Sequence, residues 1–302
     1  MDMSAELRGW TVGVIGAGRV GAVLGAALAA AGHHVVAASG VSAAAKHRIA
    51  TLLPQAENIP ADQVARAAAD LLIIAVPDDA LAAVVAGLAQ VGALHPGQVV
   101  AHTSGAHGLA VLEPARAVGA RPLALHPAMT FTGTETDLAR LKEGISFGVT
   151  APPDLALIAH DLVDDLGGQL EWIDEPDRPL YHAALAHGAN HLVTLVNEAA
   201  DMLRAAGVTQ PEKVLAPLLR AALDNALVTG DAALTGPVSR GDAGTVAKHV
   251  AVLGRVQPDS VPAYLALARR SADRAIAVGR LRPTDAESLL DVLAGRPETV
   301  HS

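Results

Sequence analysis

Between Trp10 and Ser39 the chain reads WTVGVIGAGRVGAVLGAALAAAGHHVVAAS, and few folds accommodate such a run. The apolar residues Val12 to Ile15 suit a buried strand. The Ala/Leu-rich residues after Gly21 suit a helix, and a second strand is expected from His33. Three glycines occupy the strand–helix junction. Gly16 permits a tight turn off the strand, Gly18 leaves the backbone bare to a pyrophosphate, and Gly21 lets the helix lie close to the sheet. The free N–H groups where the helix begins, around Arg19 and Val20, then face an anion. In this strand–turn–helix setting, the spacing G-x-G-x-x-G points to a dinucleotide.

The end of the second strand bears on which dinucleotide. An NAD site usually carries Asp or Glu there, about 20 residues past the glycines, to accept from the ribose hydroxyls. Here the chain has Ala37, Ala38, Ser39 and Gly40, with no carboxylate to repel a 2′-phosphate. Ser39 and the nearby Lys46 and Arg48, with Arg19 on the phosphate side, make NADP(H) the expected cofactor. Lys46 and Arg48 read equally well as solvated charges on the next helix.

Further apolar runs follow, expected as strands at Leu71–Val76, Val99–His102, Leu123–His126, Ile145–Val149 and Leu170–Ile173. Helical patterns separate them, among them Ala80–Ala89 and Asp154–Leu166. Such alternation predicts an α/β domain with a Rossmann-type, doubly wound, mostly parallel sheet covered on both faces. At Asp174–Pro179 two prolines and four charged residues suggest a linker. Beyond it only helices are expected, at Leu180–Ala206, Pro211–Thr229, Ala243–Leu253, Val261–Val278 and Pro283–Leu293. The expected organisation is a dinucleotide-binding domain over 1–175 and an all-helical domain over 176–302 that binds substrate and pairs as a homodimer.

Composition narrows the function. The chain is 51% hydrophobic but only 2% aromatic, with Ala and Gly carrying much of the apolar content. Small side chains suit close helix packing, and no run is long enough to read as a membrane span. Polar residues lead into the first strand, so no signal peptide is expected, and a cytoplasmic protein is. The absence of cysteine excludes disulfides, thiolate catalysis and Cys-ligated zinc, and no metal site is expected. A formal charge of −9, without a basic cluster or stacking platform, argues against nucleic acid.

Ligands in open α/β sheets lie beyond the carboxyl ends of the strands. Three polar motifs fall at such ends. Val76-Pro77-Asp78 suits cover over the adenosine and phosphate side of a cofactor, or a turn with a helix cap. His102-Thr103-Ser104-Gly105 offers the Ser104 hydroxyl to a substrate carbonyl or carboxylate, or is a polar turn. In His126-Pro127-Ala128-Met129-Thr130-Phe131, Pro127 holds His126 extended and aims its imidazole off the strand. Such a histidine can donate a proton to an alkoxide, or serve the core. In the helical half, His187, Asn190, Thr194 and Asn197 recur at helical spacing and predict one polar stripe. Finally, Leu234-Thr235-Gly236-Pro237-Val238-Ser239-Arg240-Gly241-Asp242 reads as a stiff turn into a helix capped by Asp242. Arg240 is then presented either to clamp a carboxylate or to brace the turn.

Together GAGRVG, VPDD, HTSG, HPAMTF and LTGPVSRGDxxTVxxH resemble a two-domain family with a Rossmann-like N-terminal domain and a helical C-terminal domain of unknown function. The architecture is also similar to the 6-phosphogluconate, β-hydroxyacid and ketopantoate dehydrogenase group, and the HP segment resembles prephenate dehydrogenases. The resemblance implies an NADP-dependent oxidoreductase that reduces a small 2-oxo acid, with ketopantoate the first substrate to consider. Prephenate-like or 3-hydroxy acid oxidation, and a non-catalytic NADP(H)-binding regulator, are the alternatives. The β-hydroxyacid group carries Lys-x-x-Asn on a helix. Here Asn190 matches the asparagine that holds substrate, whereas His187 stands where the proton-donating lysine belongs. The donor expected in its place is His187, His126 or a water, with the two histidines preferred. Where many NADP-binding relatives have arginine after the second strand, this chain has Gly40 and Val41.

Overall fold

The computed structural model describes residues 9–295. The polar residues before Gly9, on which the signal-peptide expectation rests, lie outside them. The chain divides into two compact units, one through Gly188 and one from Ala189.

The first unit is built on eight strands: β1 (Thr11–Ile15), β2 (His34–Ser39), β3 (Glu57–Asn58), β4 (Leu71–Ile74), β5 (Val99–His102), β6 (Arg121–Pro127), β7 (Ser146–Thr150) and β8 (Gln169–Trp172). Their order is β3-β2-β1-β4-β5-β6-β7-β8, parallel throughout except where β7 runs antiparallel to β6. The two-residue β3 has no apolar run and leaves no signal in the sequence. The chain leaves β1 to one side for β2 and returns to the other side for β4. The crevice between the carboxyl ends of β1 and β4 is thus the topological switch point.

The intervening helices are α1 (Arg19–Ala30), α2 (Ala43–Leu52), α3 (Ala61–Ala67), α4 (Asp78–Gln90), α5 (Glu113–Ala117), α6 (Glu135–Leu141), α7 (Ala156–Asp165) and α8 (Arg178–Leu185). The strands feed two cores by alternation. Leu71 and Ile73 join Leu24 and Leu28 of α1 and Leu162 of α7 on one face. Leu72 and Ile74 join Val64 of α3 and Leu81 and Val85 of α4 on the other. Both faces are covered, so the strand residues are apolar without a polar alternate.

The segment expected as a linker is packed into this unit. Glu175 accepts from the backbone N–H of Leu109 (2.6 Å) and of Ala110 (3.0 Å), and Arg178 is fully buried. Consequently the compact unit extends to Gly188, past the boundary expected after residue 175.

The second unit contains α9 (His191–Ala205), α10 (Pro211–Thr229), α11 (Ala243–Val256), α12 (Val261–Ala277) and α13 (Pro283–Leu293). Proline in the first turn opens α10, α12 and α13, as its fixed φ and missing N–H favour. Val246, Ala272, Ala275, Leu281, Ala286 and Leu289 form its core. The helix expected over Leu180–Ala206 starts at Arg178 and is interrupted by a π turn at Ala186–Asn190. That turn sets His187 apart from the rest of the expected stripe, whereas Asn190, Thr194 and Asn197 keep α-helical spacing into α9. With i→i+5 bonding, His187 and Asn190 no longer share the angular phase that α-helical spacing gives them. No helix of the described residues is long and apolar enough to cross a membrane.

Candidate active site at the carboxyl edge of the sheet

The glycine turn is built as its spacing demands. Gly16 has φ +83°, and a methyl there would lie 2.5 Å from the carbonyl oxygen of Ala75 at the end of β4. Gly21 packs so closely that a methyl would strike the Gly16 carbonyl. The N–H groups of Gly16 and Ala17 donate to the carbonyl of Ser39 (3.2 and 2.8 Å), which ties the turn to the end of β2. Gly18 differs in kind. A methyl on it would meet only the Gly16 carbonyl oxygen, at 3.9 Å, and otherwise open space. Gly18 is also the N-cap of α1, without a side-chain cap, so the first-turn N–H groups remain available. A pyrophosphate fits this cradle on both counts. Val76 adjoins the turn, and Pro77 caps α4, with Asp78 in its first turn.

Farther along the same edge, His102 is fully buried at the end of β5. Its Nε2 donates to the carbonyl of Gly108 (2.9 Å), and its Nδ1 accepts from the Ser104 N–H (3.2 Å). These partners hold a neutral ring, and burial pushes its pKa down to about 4. His102 therefore shapes the HTSG loop. Ser104 Oγ accepts from the His107 N–H (3.1 Å), and a hydroxyl that accepts still has a proton to donate.

His126 on β6 is half-buried and faces Gly148 of β7 across the antiparallel pair. Above that pair lies Tyr181 of α8. Its Oη is hydrogen-bonded to His126 Nδ1 at 2.9 Å. Gly148 makes this possible, since a methyl there would lie 2.5 Å from Tyr181 Oη. His182 adds an edge contact to the His126 ring, with centroids 6.0 Å apart. Burial pushes His126 down to about 4, reinforced by His182 and by the charge of Arg178. The ring is thus neutral near pH 7, and the nitrogen outside the Tyr181 bond is Nε2. That nitrogen faces Gly105, where a methyl would lie only 3.0 Å away.

Arg178 underlies the cluster. Its guanidinium donates to Thr150 Oγ1 (3.0 Å), the Gly148 carbonyl (2.8 Å) and the Ser104 carbonyl (3.5 Å). All three are neutral oxygens. Burial pulls its pKa down, opposed by Tyr181 and Glu175.

The fold therefore brings Gly16, Gly18, Gly21, Ser39 and Val76 to one end of the crevice, and the HTSG loop, through Gly105, to His126 beside it. His187 lies in the π turn and Asn190 ends it. Asn190 and Arg240 belong to the second unit. There Asp242 caps α11, accepting from the Thr245 N–H (3.0 Å) and hydroxyl (2.7 Å). Arg240 ends the short 3₁₀ turn Val238–Arg240 and is exposed. Sequence reasoning missed Tyr181, His182 and Arg178. Arg178 stood in a charged, proline-rich segment that reads as solvated, and nothing local marks Tyr181.

The N-terminal part of the chain matches the Rossmann-like domain over residues 2–127, and residues 145–271 match a domain of unknown function, DUF2520. This is a Rossmann-like–DUF2520 chain. Solved structures share its fold. A Bacteroides fragilis protein assigned provisionally as an NADP oxidoreductase is 21% identical, with TM-score 0.74, over 88% of this chain and 98% of its own. The reductive aminase of Aspergillus terreus, solved with NADPH and ethyl levulinate, is 20% identical, with TM-score 0.61, over 90% and 95%. The pyrroline carboxylate reductase of Plasmodium falciparum, solved with NADP bound, is 13% identical, with TM-score 0.57, over 93% and 98%. No curated protein matches the chain in sequence. Among the described residues no cluster of side chains suits a metal ion.

Proposed function

We propose that this Rossmann-like–DUF2520 chain is an NADP(H)-dependent oxidoreductase that reduces a small carbonyl substrate, with a 2-oxo acid such as ketopantoate the first candidate. The hydrogen bond from Tyr181 to His126 Nδ1 carries the reading. With the phenol as donor, it leaves Nε2–H of a neutral imidazole at the carboxyl edge of the sheet, beside Gly105, which follows Ser104 in the chain. Two donors there suit an oxygen on which negative charge develops. Reduced nicotinamide, when bound, supplies the hydride.

The protein supplies the proton. His126 Nε2–H passes to the developing alkoxide while Nδ1 takes the Tyr181 proton, so the imidazole stays neutral and changes tautomer. Burial raises the Tyr181 pKa and disfavours the phenolate left behind, a cost that the charge of Arg178 and the Gly148 N–H offset in part. His126 thus takes the donor role in this proposal rather than His187. Gly16, Gly18, Arg19, Val20, Gly21, Ser39, Val76, Pro77 and Asp78 would hold the cofactor. Asn190 and Arg240 are proposed as ligands for the substrate carbonyl and carboxylate. A homodimer through the helical unit fits the exposed Leu218, Leu223, Leu227 and Val228 of α10.

NADPH oxidation by the purified protein with ketopantoate, a panel of 2-oxo acids and cyclic imines, run beside NADH, tests the proposal. Turnover of an acid with NADPH supports it. Turnover confined to imines replaces the substrate class, in keeping with the reductive aminase and pyrroline carboxylate reductase that share the fold. NADPH binding without turnover on any substrate points to the regulatory alternative.

A further inference from the structure

Arg19, in the first turn of α1, and Arg48, on α2, approach the same backbone segment from two helices. That segment is Thr132–Gly133–Thr134, in the loop between β6 and α6. A methyl built on Gly133 would lie 2.6 Å from Arg48 Nε and 3.0 Å from Arg19 Cγ. Gly133 has φ +80°, a conformation other residues rarely adopt.

A fully buried carboxylate holds the loop in this position. Asp137 accepts from the N–H groups of Thr132 and Gly133 (2.7 Å each) and from the Thr132 hydroxyl (3.0 Å). Burial disfavours its ionised form, but these hydrogen bonds outweigh that cost and keep its pKa below the ordinary value. Because the Asp137 charge is engaged with its own loop and Arg140, it does not neutralise the pair above. Among the described residues, neither Arg19 nor Arg48 forms an ion pair. Arg48 brings its guanidinium and Arg19 its aliphatic stem to this one glycine, and with no carboxylate paired to either, both cations are available to an anion.

The place of this pair in the fold says which anion. Arg19 follows Gly18 directly, and α2 is capped by Ser42, just past the end of β2, whose side-chain oxygen accepts from the Ala45 N–H (3.1 Å). In a doubly wound domain this end of the crevice takes the adenosine ribose. We infer that Arg48 and Arg19, backed by the Thr132–Gly133 loop, bind the 2′-phosphate of NADP(H), and that Arg48 is the residue that separates NADP from NAD. The inference rests on the proposed NADP(H) reading and assigns its discrimination to α2 and the β6–α6 loop, since Gly40 and Val41 bring no cation of their own.

Dissociation constants of NADPH, NADH, 2′,5′-ADP and 5′-ADP for the full chain test it without turnover. For Arg48→Ala the expected result is weakening of NADPH and 2′,5′-ADP by about ten- to a hundredfold, with NADH and 5′-ADP within about twofold of the unaltered protein. Arg48→Lys should recover part of the loss. Gly133→Val, which drives a branched side chain against Arg48, should lose the same selectivity. Equal weakening of phosphorylated and unphosphorylated ligands, or no change in either, overturns the inference alone. Failure of the unaltered protein to bind NADPH overturns the cofactor reading and the inference with it.

Discussion

Tyr181 Oη lies 2.9 Å from Nδ1 of His126, although the two residues are 55 positions apart in the chain. In the proposed function the phenol fixes which imidazole nitrogen carries the proton. In the proposed relay it also supplies the proton that replaces the one given up. Tyr181→Phe keeps the ring and its packing but removes both roles. The expected result is a fall in kcat of about a hundredfold, with the NADPH dissociation constant unchanged. A loss of less than about twofold would sink the relay.

The two depressed histidines make stability depend on pH. His102 and His126 fall from 6.5 to about 4 in the folded protein. Between those values the unfolded chain binds more protons than the folded one. Their contribution is therefore fully present above pH 6.5 and is lost as pH falls toward 4. Chemical denaturation at pH 7 and pH 5 should show the loss, up to about 2 kcal/mol for each histidine between those two values. His102→Gln should reduce that difference as well as lower stability at pH 7.

Gly16 and Gly18 should separate fold from binding. At Gly16, φ +83° and the adjacent Ala75 carbonyl leave no room for a methyl. Gly16→Ala should cost about 2 kcal/mol or more in a denaturant titration. Gly18 opens on empty space, so Gly18→Ala should leave the melting temperature nearly unchanged and weaken NADPH by about tenfold or more.

Arg178 has no exposed surface and three neutral acceptors. Arg178→Met would leave the Gly148 and Ser104 carbonyls without this donor, at a cost of about 3 kcal/mol in stability. It would also remove a charge that holds down the His126 pKa. An NMR titration should find the His126 midpoint raised in Arg178→Met and still depressed in Arg178→Lys. An unmoved midpoint in Arg178→Met would remove Arg178 from the electrostatics of the site.

What the sequence determined is local. The glycine turn, the strand runs feeding two cores, and the helices at Pro211–Thr229 and Pro283–Leu293 depend on residues within a few positions of one another. Glycine conformational freedom, proline's fixed φ and apolar periodicity act over that range. The rest was decided by packing between distant segments. Glu175 and Arg178 read as linker charges until the Leu109–Ala110 backbone supplies partners to the one, and β7 and the HTSG loop to the other. The π turn at Ala186–Asn190 set His187 apart from a stripe that α-helical counting had aligned. Likewise Tyr181 on His126, and Gly133 against Arg19 and Arg48, depend on contacts that local periodicity does not encode. A hydrogen bond between residues far apart in the chain forms only once the sheet has fixed both backbones.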